Sequence, residues 1–127
     1  MANTHEHKFV LNLISGLNQL NYPASILAFN SDRDYTLSIM SPHNIHFTLT
    51  YTGLSSHNDI NATASAIQLS AQSPSGDDLD CTQLDNNPLW TTFCCDITGN
   101  ADYTSTVANH LAFIMYAMEN IENQYSN

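Results

Sequence analysis

The chain has 127 residues, 43% of them hydrophobic, which suits one folded domain with a real core and argues against global disorder. Its 12 acidic side chains face only two basic ones, Lys8 and Arg33, for a net charge of -10. Two cations cannot neutralise a run of phosphates or hold an anionic membrane surface, so nucleic-acid and membrane partners are not expected, while a basic partner, or one held by apolar and backbone contacts, is compatible with this charge.

The N-terminus, Met1-Ala2-Asn3-Thr4-His5-Glu6-His7-Lys8, lacks the basic-then-apolar layout of a signal peptide. No apolar run approaches a membrane span. The expectation is therefore a cytoplasmic protein, in which the sequon at Asn61 is a chance match. Cys81, Cys94 and Cys95 are too few for a secreted disulfide framework and read as thiols in a reducing compartment.

Asn3, with Glu6 three residues on, suits a helix N-cap and its return partner. Phe9, Val10, Leu13, Ile14, Leu17 and Leu20 then recur at helical spacing, Leu11 falls off that stripe, and Pro23 stops it. A helix is predicted over 4–20. Gly16 inside it costs about 1 kcal/mol relative to alanine, so packing must hold this helix.

Ile26, Leu27, Ala28 and Phe29 form a short apolar run that ends in the turn cluster Asn30-Ser31-Asp32-Arg33-Asp34. It is read as the first strand of a three-stranded meander. Tyr35, Leu37 and Ile39 alternate with Thr36, Ser38 and Met40, and Ile45, Phe47, Leu49 and Tyr51 alternate with His46, Thr48, Thr50 and Thr52. Ser41-Pro42-His43-Asn44 separates the two runs, as the loop of a hairpin would. Each run has one apolar face to pack and one hydroxyl-lined face.

Beyond a loop at 53–58, Asp59 can cap a weaker helix over 59–71, with Ile60, Ala64, Ile67 and Ala71 as a thin stripe. The alternative is that 66–71 is extended. Asp77, Asp78, Asp80 and Asp85 cluster around a loop, as solvated acids commonly do. A short strand is predicted over 79–84. Leu89, Thr91, Phe93, Cys95 and Ile97 alternate with Trp90, Thr92, Cys94 and Asp96, which predicts a strand with Trp90 on the face away from the core. Trp90 then either marks an interface or packs under a loop or helix. The last helix starts after Gly99 and Asn100 and carries Val107, Leu111, Ile114, Met115, Met118, Ile121 and Tyr125 on one stripe. The order is helix, three strands, helix, two strands, helix: one α+β domain over 1–127, with an antiparallel sheet packed against helices.

Chemistry is thinly signalled. Six histidines occur without a zinc-binding spacing, although His43 and His46 flank a turn and could meet carboxylates from elsewhere. Cys94 or Cys95 could pair with His110 only if the fold brought them together. With four glycines there is no phosphate-binding loop. No catalytic residue, metal site or cofactor is predicted.

The pattern as a whole resembles the class I type III secretion chaperones, the Tir-chaperone (CesT-like) family. The residues that carry it are the start Phe9-Val10-Leu11-Asn12-Leu13-Ile14-Ser15-Gly16-Leu17, the runs at 35–40, 45–51 and 89–97, and Leu111-Ala112-Phe113-Ile114-Met115-Tyr116-Ala117-Met118-Glu119 in the closing helix. The second helix at 59–71 is poorer in leucine than is usual in the family, where that helix helps form the dimer. The resemblance implies a dimeric chaperone without catalysis that binds the N-terminal segment of a secreted effector protein and keeps it extended. Leu11, Ile26, Leu27 and Phe29 are then the expected effector-binding residues, and Ile67, Leu84, Trp90 and Thr92 the expected homodimer interface. Two rival expectations are an acidic decoy that binds a basic protein, and a small enzyme that uses the histidines or cysteines.

Overall fold

Helix α1, Lys8–Gln19, opens the chain in the computed structural model, which describes residues 7–31, 33–55, 61–99 and 105–125. Phe9, Val10, Leu13 and Leu17 of the expected stripe are buried. The predicted cap at Asn3 lies outside the described residues. The helix ends as Pro23 requires. Asn21 takes a left-handed φ of 66°, and the Tyr22 N–H reaches the Leu17 carbonyl at 2.9 Å while the Asn21 N–H reaches Asn18 at 3.2 Å. Asparagine tolerates that conformation, so the last carbonyls find donors without a glycine. The Asn18 side chain then accepts from the Ala24 N–H at 2.9 Å and ties helix to strand.

The meander follows as β1 (Ala24–Ser31), β2 (Asp34–Met40) and β3 (His46–Thr52). Ser41 locks the β2–β3 loop: its hydroxyl accepts from His43 at 3.2 Å and Ile45 at 3.1 Å, and its N–H donates to the Ile45 carbonyl at 2.9 Å. A two-residue strand β4 (Asn61–Ala62) precedes β5 (Ala66–Gln72) and the short β6 (Asp78–Leu79). The main sheet is antiparallel with the order β1-β2-β3-β5-β6. A 3-10 turn, Thr82–Asn86, leads into helix α2, Pro88–Gly99. Strand β7 (Ser105–Thr106) pairs with β4, and helix α3, Val107–Tyr125, closes the fold.

The expected fold class holds: α+β, with an antiparallel sheet packed against helices. Tyr35, Leu37 and Ile39 stand opposite Tyr51, Leu49 and Phe47, and all six are sealed from solvent. Phe9 and His110 meet Tyr51 there, so α1 and α3 cover this face. Thr36, Ser38, Thr48 and Thr50 share the other face, and none of them is buried.

Three local expectations are corrected. Residues 66–71 are a strand and not the end of a helix over 59–71. The free side of β3 demands a partner, and β5 supplies one residue for residue from His46↔Gln72 to Thr52↔Ala66. Pairing outweighs the weak helical preference of a stretch rich in Ala, Ser and Gln. The alternative weighed for this stretch, an extended 66–71, is what forms; Asp59, its proposed cap, lies outside the described residues.

The strand expected over 89–97 is helix α2. The Asn87 carboxamide oxygen caps the N–H groups of Leu89 at 3.0 Å and Trp90 at 3.2 Å, and Pro88 fills the first helical position, where its missing donor costs nothing. Trp90, Phe93 and Ile97 then share a buried face, so Trp90 points inward and not away from the core. The strand expected over 79–84 survives only as Asp78–Leu79. Asp80 Oδ1 accepts from the Thr82 N–H at 2.9 Å and hydroxyl at 2.6 Å, which starts the 3-10 turn and ends the pairing.

Candidate functional site

Among the described residues, strand β1 forms one edge of the sheet, with β2 on one side and no strand on the other. Its register slips between Ile26 and Ala28 and again between Phe29 and Ser31. Ile26 opposes Leu37 on the core face and is half-buried. Leu27 is the extra residue of the first bulge and is 58% exposed. Phe29 stacks on Tyr35 with ring centroids 6.1 Å apart, yet stays 41% exposed. Leu11 is 45% exposed on α1, a helix that touches β1. The four residues expected to bind an effector therefore lie on adjoining elements, three of them with large exposed apolar surfaces. Covering the exposed parts of Leu27 and Phe29 would be worth about 2 kcal/mol together.

The four residues expected at a dimer interface do not form one surface. Leu84 is buried and Trp90 is only 7% exposed, both packed inside their own chain. Ile67 is half-buried on β5, and Thr92 is exposed on α2. Ile67, Leu84 and Trp90 do converge on a groove of about 430 Å³ beside β5, together with Leu69, Cys81 and Asp85. Thr92 does not line it.

Two titratable groups lie in or against the core. His110 lies in the core against Phe9 and Phe93, with Nδ1 2.8 Å from the Tyr51 hydroxyl and Nε2 3.4 Å from the Ala62 carbonyl. Burial pushes its pKa down to about 4, so it is neutral at physiological pH. Both ring nitrogens are engaged, which leaves none to activate Cys94 or Cys95. Burial also pushes the Cys94 thiol up to about 11, far from a reactive thiolate. His46 meets the Ser38 hydroxyl at 2.6 Å on the open face of the sheet. Among the described residues no three His, Cys, Asp or Glu side chains are grouped to hold a metal ion, and no helix is long and apolar enough to cross a membrane.

One cluster was not anticipated. Glu122 is almost fully buried on α3, its Oε1 accepts from the Tyr22 hydroxyl, and its Oε2 is 4.0 Å from His43 Nε2. Burial first, then Glu122, raises the Tyr22 phenol well above its usual range. The signal available was a carboxylate four residues after Met118, on the packing stripe of the last helix. These residues border a pocket of about 520 Å³ with Leu20, Met115 and Glu119.

No protein-family model, curated protein or solved structure matches the chain.

Proposed function

We propose that this chain is a binding protein without catalysis, a cytoplasmic chaperone of the type III secretion kind that holds the N-terminal segment of a secreted effector extended. The observation that carries the proposal is the β1 edge, an outer strand with Leu27 and Phe29 exposed on it. An extended client adds main-chain hydrogen bonds to such an edge and covers the apolar side chains beside it. The bulges at Leu27 and Asn30 break the ladder and discourage indiscriminate edge pairing. A client would pair over the regular stretch at Ala24–Ile26 and anchor on Leu27, Phe29 and Leu11.

A homodimer is part of the same proposal, on a surface other than the expected one, since Leu84 and Trp90 are used within the chain. The strand at 66–72 also replaces part of the helix through which the family dimerises.

The test is native mass and co-purification after co-expression with the protein encoded next to this one. A stable complex that retains the neighbour's N-terminal segment is expected. Leu27→Asp with Phe29→Ala should release that segment and leave the circular dichroism spectrum unchanged, because neither side chain is buried. Retention of the segment by this double variant would overturn β1 as the site.

A further inference from the structure

Strand β6 pairs with β5 only at Ala71 and Gln72. Beyond Leu79 the chain is drawn aside: the Tyr125 hydroxyl accepts from the Asp80 N–H at 2.8 Å and donates to its carbonyl at 3.2 Å, and the 3-10 turn follows. Among the described residues, no strand pairs with the outer edge of β5 over 66–70.

The direction of its backbone groups follows from the hairpin. The Ser73 N–H points away from β3, to the Asp77 carbonyl at 2.8 Å. Strand residues repeat their hydrogen-bonding direction every second position. Ala71, Leu69 and Ile67 therefore aim their N–H and C=O groups to that same outer side. Among the described residues, no backbone hydrogen bond reaches Ile67 or Leu69 from there.

The groove of about 430 Å³ lies along this edge. Half-buried Ile67 and Leu69 give it its accessible apolar surface, above the buried Leu84 and Trp90; Thr48 and Thr50 give it a hydroxyl wall, and Asp85, which is exposed, a negative charge. Among the described residues that line it there is no lysine or arginine.

We propose that this groove is a second strand-addition site, continuing the line of β6, for an extended segment of a partner protein that alternates apolar with cationic side chains. The proposal rests on the client-binding function above and names the chemistry of a second client segment. Main-chain groups of the segment meet those of Ile67 and Leu69. Alternate side chains of a strand point to opposite sides, so one set packs beside Ile67 and Leu69 while the other faces the threonines and Asp85. The net charge of -10 favours a cationic segment over an anionic one.

The test uses two short fluorescent peptides, one alternating valine with lysine and one alternating valine with glutamate, added to the full chain. Binding is read by anisotropy, and its location by amide hydrogen exchange in NMR spectra. The valine–lysine peptide should bind and slow exchange at Ile67 and Leu69. Asp85→Lys, an exposed substitution, should weaken that binding about threefold and narrow the preference over the valine–glutamate peptide. Protection confined to Ala24–Phe29 would overturn the groove and leave the client-binding function standing. Absence of protection at either edge would overturn both. Protection of Ile67 and Leu69 that appears without peptide as protein concentration rises would assign the groove to a second copy of the chain and overturn the proposal.

Discussion

Gly16 of α1 and Leu111 of α3 are in direct apposition: a Cβ placed on Gly16 would lie 2.4 Å from Leu111 Cδ1. The glycine that weakens α1 as an isolated helix is what lets α3 approach it. Alanine there would raise helix propensity by about 1 kcal/mol but must push the end of a half-buried leucine aside. Gly16→Ala should therefore stay within about 1 kcal/mol of wild type, while Gly16→Val should lose about 2 kcal/mol, since its two methyl groups have nowhere to go. Urea denaturation of the two variants measures both.

His110 makes stability depend on pH. In the unfolded chain it titrates near the ordinary histidine value of about 6.5; in the fold burial lowers that to about 4. Between these values the unfolded state binds more protons, so acid favours unfolding. The stability His110 permits is full above about pH 6.5, declines as pH falls towards 4, and changes no further below that. The loss should reach about 3 kcal/mol by pH 4. Denaturation curves at pH 7.5 and 4.5 should differ less in His110→Phe than in wild type.

The Tyr22 hydroxyl helps satisfy a buried carboxylate. Tyr22→Phe removes the donor to Glu122 Oε1 and should cost about 2 kcal/mol. Replacing both partners, Tyr22→Phe with Glu122→Leu, should recover most of that loss, because the buried carboxyl group is then gone as well. If the double variant is as unstable as the sum of the two single ones, the hydroxyl and the carboxylate are not coupled. A thermal-melt double-mutant cycle reads this directly.

Asn87 has two separable tasks. Its oxygen caps α2, and its Nδ2 donates to the Tyr116 hydroxyl at 2.8 Å. Asn87→Asp keeps the cap and loses that donor, whereas Asn87→Ala loses both. The alanine variant should cost about 1 kcal/mol more than the aspartate one. Equal losses would mean that the cap contributes nothing to α2.

The parts of the fold legible in the sequence are those in which one local signal stood unopposed. The stripes of α1 and α3, the alternation of β2 and β3, and the turn at Ser41–Asn44 all repeat a single period and end in residues that suit a break. Leu89–Ile97 carried two signals. Its β-branched alternation suggested a strand, while Asn87-Pro88 marked a helix start and Trp90, Phe93 and Ile97 a helical stripe. The cap and the packing against Phe113, whose ring stacks on Phe93 at 4.6 Å, settled it.

By itself the sequence determined an α+β domain, two amphipathic helices, a central hairpin, and a charge balance with only two cationic side chains. These follow from composition and short-range periodicity, which are properties of neighbouring residues. Tertiary structure alone decided that 66–72 pairs with β3, that Trp90 faces inward, that Glu122 meets a tyrosine 100 residues away, and that β6 stops short of Ile67. Each of these depends on which distant backbone edge or side chain offers a partner, and no local pattern encodes that choice.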